Sequence, residues 1–195
     1  MTGAGAAINT AKVTPGSSVI VYGAGGVGIS AIQGARIAGA AEIVAVDLNP
    51  DKLDQARHFG ATHAVTPDDV DEVKAEVTGG EGFDFAFECI GIGSVMRGAF
   101  DATRRGGTTC IVGVGRMEDM IQFSAFELFF SEKTLVGSYY GGTDVRSDFH
   151  KLLRLYKTGK LDLEGMISKR LKIDEINDGI KEMLEGNVVR QVIEF

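Results

Sequence analysis

The chain has 195 residues, 44% of them hydrophobic, and its 27 acidic against 20 basic side chains leave a formal charge of −7. That length supports one sizeable core, or one domain with part of a second. An acidic balance with scattered Lys and Arg excludes a nucleic-acid footprint, and no apolar run approaches the roughly 20 residues a bilayer requires, so neither a nucleic acid nor a membrane is expected as a partner.

The first informative stretch is Ser17 to Tyr22, a buried strand that runs directly into Gly23-Ala24-Gly25-Gly26-Val27-Gly28. In such a G-x-G-x-x-G turn the first glycine makes the tight exit from the strand. The second lets the backbone approach a pyrophosphate, and the third lets the following helix pack against the sheet. Free N–H groups and the dipole at the start of that helix favour a bound anion. The helix is predicted over 27–38 with Gly39 as its stop, and a strand over 42–46 follows. Asp47 closes that strand, where its carboxylate can accept hydrogen bonds from an adenosine ribose and repel a 2′-phosphate, so NAD is favoured over NADP. A bare glycine pattern is weak in a chain with 27 glycines, and the rival readings are a turn with no ligand or a methyltransferase loop. The strand, helix, second strand and terminal acid argue against the first, and the third glycine argues against the second.

Asn49-Pro50-Asp51-Lys52 starts a helix to about Phe59, with Pro50 in its first turn. Gly60 ends it, a short strand covers 63–66, and an acidic helix spans 68–77 before Gly79-Gly80. A fourth strand is predicted over 83–90, a helix over 94–103, a fifth strand over 108–112 and a sixth over 135–139. This alternation predicts an α/β fold: a doubly wound parallel six-stranded Rossmann sheet over residues 1–142. Residues 143–195 read as a short C-terminal α+β tail, with a helix over 146–157, a strand over 167–171, a helix capped by Asp174 and a strand over 188–195. The tail is too small for its own core and should lean on the sheet or on a partner. Phe126, Leu128, Phe129 and Phe130 are read either as core or as a contact between two copies. Cys89 and Cys110 fall in predicted strands and read as buried reduced thiols, which with the lack of a signal-like N-terminus points to the cytoplasm.

Over essentially its whole length the chain resembles the C-terminal, coenzyme-binding half of zinc-dependent medium-chain alcohol dehydrogenases, closest to class III-like bacterial members. The resemblance rests on Thr2-Gly3-Ala4-Gly5-Ala6, the glycine turn, Gly60-Ala61-Thr62, Phe87-Glu88-Cys89-Ile90-Gly91, Ile111-Val112-Gly113-Val114, Ser138-Tyr139-Tyr140-Gly141-Gly142 and Ile173-Asp174-Glu175-Ile176. It implies NAD(H) contacts from Gly23, Gly25, Gly26, Val27, Gly28 and Asp47, with Lys52 near the adenosine ribose and Ile90 and Ile92 lining the coenzyme groove. It further implies that Val112, Ser138 and Tyr140 hold the nicotinamide carboxamide through backbone groups, while Thr2 and Val27 pack on the ring. Arg190 matches an arginine that contacts the pyrophosphate; its alternative is a solvated cation.

In that family the catalytic zinc ligands belong to an N-terminal domain, upstream of the stretch matching Met1-Thr2-Gly3. His58, His63, His150 and the two cysteines show no ligand-like spacing, so zinc is expected only in a full-length parent and this chain alone is expected to be inactive. No catalytic residue is assigned. The family implies hydride transfer between NAD and a primary alcohol, an aldehyde or a thiol adduct, and a homodimer through the sixth strand. The alternatives are a stand-alone, non-enzymatic NAD-binding module and a zinc-independent medium-chain reductase; Asp47 weighs against the latter, since those reductases mostly use NADPH.

Overall fold

The computed structural model describes residues 1–186 and 188–195. A short helix α1 (Thr2–Gly5) runs on as a π-type turn through Ala6–Thr10. Six strands follow: β1 (Ser18–Tyr22), β2 (Glu42–Val46), β3 (His63–Val65), β4 (Phe83–Glu88), β5 (Thr103–Ile111) and β6 (Thr134–Gly137). They form one all-parallel sheet in the order β3-β2-β1-β4-β5-β6. The connecting helices are α2 (Gly26–Ala38), α3 (Pro50–His58), α4 (Val70–Thr78), α5 (Gly93–Ala102) and α6 (Ala125–Ser131).

Strand periodicity explains why this sheet needs helices on both faces. Val19 and Val21 point into a core shared with Ile29, Ile32 and Leu53 of α2 and α3. Ile20 and Tyr22 point the other way, against Val73 and Ala99 of α4 and α5. A strand buried on both faces reads as an unbroken apolar run, and β1 is one. The helix ends follow local chemistry. α2 stops at Gly39, whose φ of 93° is left-handed, and α3 starts with the Asn49 side chain accepting from the Asp51 N–H at 2.9 Å ahead of Pro50.

Several boundaries differ from those expected. β5 begins at Thr103, directly after α5: Thr103 pairs with Phe83, and the ladder resumes only at Phe85 and Thr108. The intervening Arg104-Arg105-Gly106-Gly107 stretch is an irregularity within the strand, which its glycines made look like a loop. β4 ends at Glu88, so Cys89 lies just past the strand and is half-buried, while Cys110 is buried in β5. Phe126, Leu128, Phe129 and Phe130 are all exposed, from 45% to 77%, which overturns the core reading. Arg97 ties α6 to α5: it pairs with Asp101 and with Glu127 and lies 5.2 Å from the Phe123 ring centroid.

After the sheet come α7 (Val145–Lys157), β7 (Ile167–Leu171), α8 (Ile176–Leu184) and β8 (Arg190–Ile193), with β7 and β8 paired in parallel as a second sheet. Asp174 does not cap α8. It sits inside a 3₁₀ turn, Ile173–Glu175, where the Glu175 carboxylate instead accepts the Lys172 N–H at 2.8 Å. This tail leans on α2. Buried Gln33 exchanges hydrogen bonds with the Asp162 backbone at 2.9 and 2.7 Å, and Met166 is 1% exposed within the core beneath it.

Candidate functional site

The sheet order places β1 beside β4 at the point where the chain reverses its winding direction, and the loops beyond the strand carboxyl ends open there. This is where doubly wound sheets bind ligands. Gly23 leaves β1 with φ 92°, and Gly25 precedes the first turn of α2. A Cβ on Gly28 would overlap the Gly23 carbonyl oxygen, so the third glycine is what lets α2 start this close to the strand. Among the described residues a Cβ on Gly25 would meet no atom within 4 Å, and the backbone over the helix N-terminus is open on that side. Val27, 37% exposed, lies in the same turn, with its carbonyl against Gly3 of α1.

Asp47 is half-buried beside that turn. Its Oδ2 accepts the Ala24 N–H at 2.8 Å and its Oδ1 accepts the Asn49 N–H at 3.0 Å. The acid thus braces the glycine turn as well as facing the cleft, and a carboxylate has lone pairs left for further donors. Gly23, Gly25, Asp47, Lys52, Ile90 and Ile92 line one cleft of about 530 Å³, together with Leu48, Pro67 and Val95, which the sequence reading did not single out. Thr2, Val112, Ser138 and Tyr140 line a second cleft of about 600 Å³. Within it Tyr140 has φ 53°, uncommon for a non-glycine residue and at the start of a left-handed Tyr140-Gly141-Gly142 run. The Ser138 N–H is already given to the Ile111 carbonyl at 2.8 Å, and its hydroxyl lies 2.9 Å from that of Thr10.

Arg190, at the start of β8, is exposed and reaches back to α2: one guanidinium nitrogen lies 3.9 Å from where a Gly26 Cβ would be. The structure therefore brings the expected residues to the carboxyl end of one sheet, divided between two clefts and the N-terminus of α2. Burial pushes the Cys110 thiol up to about 12 and raises the Cys89 thiol well above the usual range, so neither is a ready nucleophile at neutral pH. Among the described residues no group of three or more His, Cys, Asp or Glu side chains could hold a metal ion.

One residue at the site escaped sequence reasoning. Glu88, the last residue of β4, is fully buried, its Oε1 facing the N–H groups of the Ile90-Gly91-Ile92 loop. The available signal was an acid at the end of the otherwise apolar run Phe85-Ala86-Phe87.

A doubly wound sheet with a glycine turn at the switch point and an acid after its second strand defines a dinucleotide-binding Rossmann domain. The comparisons specify it further. Residues 26–158 match the model of a family described as zinc-binding dehydrogenases, and the chain belongs to that family. It is 41% identical over 198 residues to an S-(hydroxymethyl)glutathione dehydrogenase of Escherichia coli, covering 100% of this chain and 53% of that protein. Benzyl alcohol dehydrogenase from Acinetobacter calcoaceticus superposes with a TM-score of 0.94 at 33% identity, across 100% of this chain and 54% of that one. A Sinorhizobium meliloti 1021 protein bound to NADP superposes with a TM-score of 0.87 at 26% identity, across 98% of this chain and 56% of that one. The chain thus spans about half the length of the relatives it matches, corresponding to the coenzyme-binding half of zinc-type alcohol dehydrogenases.

Proposed function

We propose that this chain binds NAD(H) and is the coenzyme-binding portion of a zinc-type alcohol dehydrogenase, which moves a hydride between NAD and an alcohol, an aldehyde or a thiol adduct. The observation that carries the choice of NAD is Asp47, a half-buried carboxylate at the carboxyl end of β2 held by Ala24 and Asn49. A 2′-phosphate at that place would bring negative charge against it in a partly desolvated cleft. On this reading the first cleft takes the adenosine, with Lys52 beside the ribose and Ile90 and Ile92 against the base. The N-terminus of α2 takes the pyrophosphate, with Arg190 as its cation. The second cleft takes the nicotinamide, with Thr2 and Val27 toward the ring and Val112, Ser138 and Tyr140 offering backbone groups to the carboxamide.

NAD supplies the hydride acceptor when bound; the residues named here bind and orient it. The described residues offer no set of zinc ligands, so no zinc step is assigned to them, and the metal belongs on this reading to the parent enzyme. Residues 1–142 form the NAD-binding domain and 143–195 the segment that completes the catalytic domain. The two free cysteines support a cytoplasmic setting. A homodimer through β6 is supported by its place at the sheet edge and by the exposed Phe126, Phe129 and Phe130 of the preceding helix.

Titrating the purified chain with NADH and NADPH by fluorescence and calorimetry tests the proposal. Binding is expected for NADH with clear preference over NADPH, and without alcohol oxidation. Equal affinities, or tighter binding of NADPH, would show that Asp47 does not select the coenzyme.

A further inference from the structure

One buried residue bonds to the walls of both clefts. Glu88 is 0% exposed. Its Oε1 accepts the Ile90 and Gly91 N–H groups at 2.9 and 2.7 Å and lies 3.4 Å from the Ile92 nitrogen, fixing the loop that walls the first cleft. Its main-chain carbonyl accepts from Val112 and Gly113 at 2.8 and 2.9 Å, fixing the strand end that walls the second. The two loops then touch backbone to backbone. A Cβ on Gly113 would fall on the Gly91 nitrogen and lie 2.6 Å from Glu88 Oε2, and a Cβ on Gly91 would fall on the Val114 carbonyl oxygen. Glu88 Oε2 is buried and has no hydrogen-bond partner among the described residues.

A carboxylate with one orphaned oxygen is costly to bury, and a core residue chosen for packing alone would be apolar. What this one provides is reach: a single oxygen set under several amides of the loop. We infer that Glu88 is a positioning residue for the dinucleotide: its side chain holds the adenosine-side loop in register against the strand end that its main-chain carbonyl holds, so that the two walls, in contact at Gly91, Gly113 and Val114, are set as a unit. This rests on the dinucleotide reading above. Charge is secondary. The role depends on an acceptor at the right distance, and Oε2, lacking a partner, contributes no bond that a glutamine amide would forfeit.

Two small substitutions separate reach from charge. Glu88→Gln keeps the length and one acceptor oxygen; Glu88→Asp keeps the charge and withdraws both oxygens by one methylene. Affinities for AMP, which fits the first cleft alone, and for NADH, which spans both, are measured by calorimetry well below each variant's thermal midpoint. For Glu88→Asp, NADH affinity is expected to fall by about tenfold or more and AMP affinity by about threefold, the scale of one or two lost hydrogen bonds. Glu88→Gln should stay within about threefold of the unmutated chain for both ligands. If Glu88→Asp binds NADH normally, if Glu88→Gln is the weaker binder, or if AMP and NADH lose equally, the assignment is overturned. Should the unmutated chain bind neither ligand, the dinucleotide reading itself falls, an outcome distinct from these three.

Discussion

Replacing Asp47 by Gly and by Asn separates the two tasks its carboxylate performs. In Asp47→Gly the Ala24 N–H loses its acceptor at 2.8 Å, and Ala24 is 0% exposed. An orphaned buried donor costs about 1–3 kcal/mol, and for a chain of this size each kcal/mol lowers Tm by roughly 2–4 °C, so a fall of about 2–12 °C is expected. Asp47→Asn keeps an oxygen for Ala24 and should melt above the glycine variant. Coenzyme affinity follows different arithmetic. Hydrogen bonds from the ribose to a charged acceptor are worth about 1.5–3 kcal/mol, so NADH should bind at least about tenfold more weakly to Asp47→Gly. NADPH loses the braced glycine turn as well but gains relief from like-charge repulsion, so the NADH to NADPH preference shrinks. Differential scanning fluorimetry reads the first effect and paired calorimetric titrations the second. An unchanged preference would refute the ribose role, and equal melting of the two variants would refute the bracing role.

Gly28→Ala places a methyl group on the Gly23 carbonyl oxygen and should cost about 1–3 kcal/mol, as overpacking does, seen as a lower denaturation midpoint with weakened NADH binding. The Ser138 N–H donates to Ile111, so the two-residue period turns the Val136 N–H toward β5 as well and the Leu135 N–H toward the open side of β6. For the proposed β6 dimer, Leu135→Pro should therefore shift the chain from dimer to monomer in sedimentation while sparing the sheet, whereas a proline at Val136 would damage the sheet itself; a dimer that survives Leu135→Pro is not formed through β6. Asp84 is partly desolvated, yet the Ser18 N–H and hydroxyl and the Arg104 guanidinium hold its carboxyl below the usual carboxylate range. A depressed value means stability present above the unfolded pKa and lost as pH falls through the folded one. Urea midpoints should drop below about pH 4 by more in the unmutated chain than in Asp84→Asn, and equal drops would discount this lock.

The glycine turn and the acid beside it were legible as geometry because they are local: strand, glycines, helix and Asp47 lie within one βαβ unit whose arrangement follows from spacing. β1, β2 and the α2 stop at Gly39 came out as expected for the same reason. What local pattern missed was decided by neighbours distant in sequence. Thr103 joins β5 opposite Phe83, and Arg97 on α5 pairs with Glu127 of α6, contacts between residues far apart along the chain. Glu88 falls inside the strand predicted over 83–90, where spacing does not single it out, since the loops it bonds to converge only in three dimensions. Arg190 was placed at the glycine turn by resemblance rather than by pattern, because β8 is far from α2 along the chain.

The strand order β3-β2-β1-β4-β5-β6 also dictates an order of assembly. During synthesis β1, β2 and β3 can pair with one another as soon as they emerge, each joined to the next by one short crossover. The other edge of β1 must wait for β4, which follows only after the whole of α4. Throughout that interval Val19 to Tyr22 present an open, apolar ladder to the surrounding solution, the kind of edge that captures other chains. The seam at which the mature protein opens its clefts is therefore one along which the nascent protein is open to aggregation, until docking of β4 covers the edge of β1 and passes the open edge outward to β4.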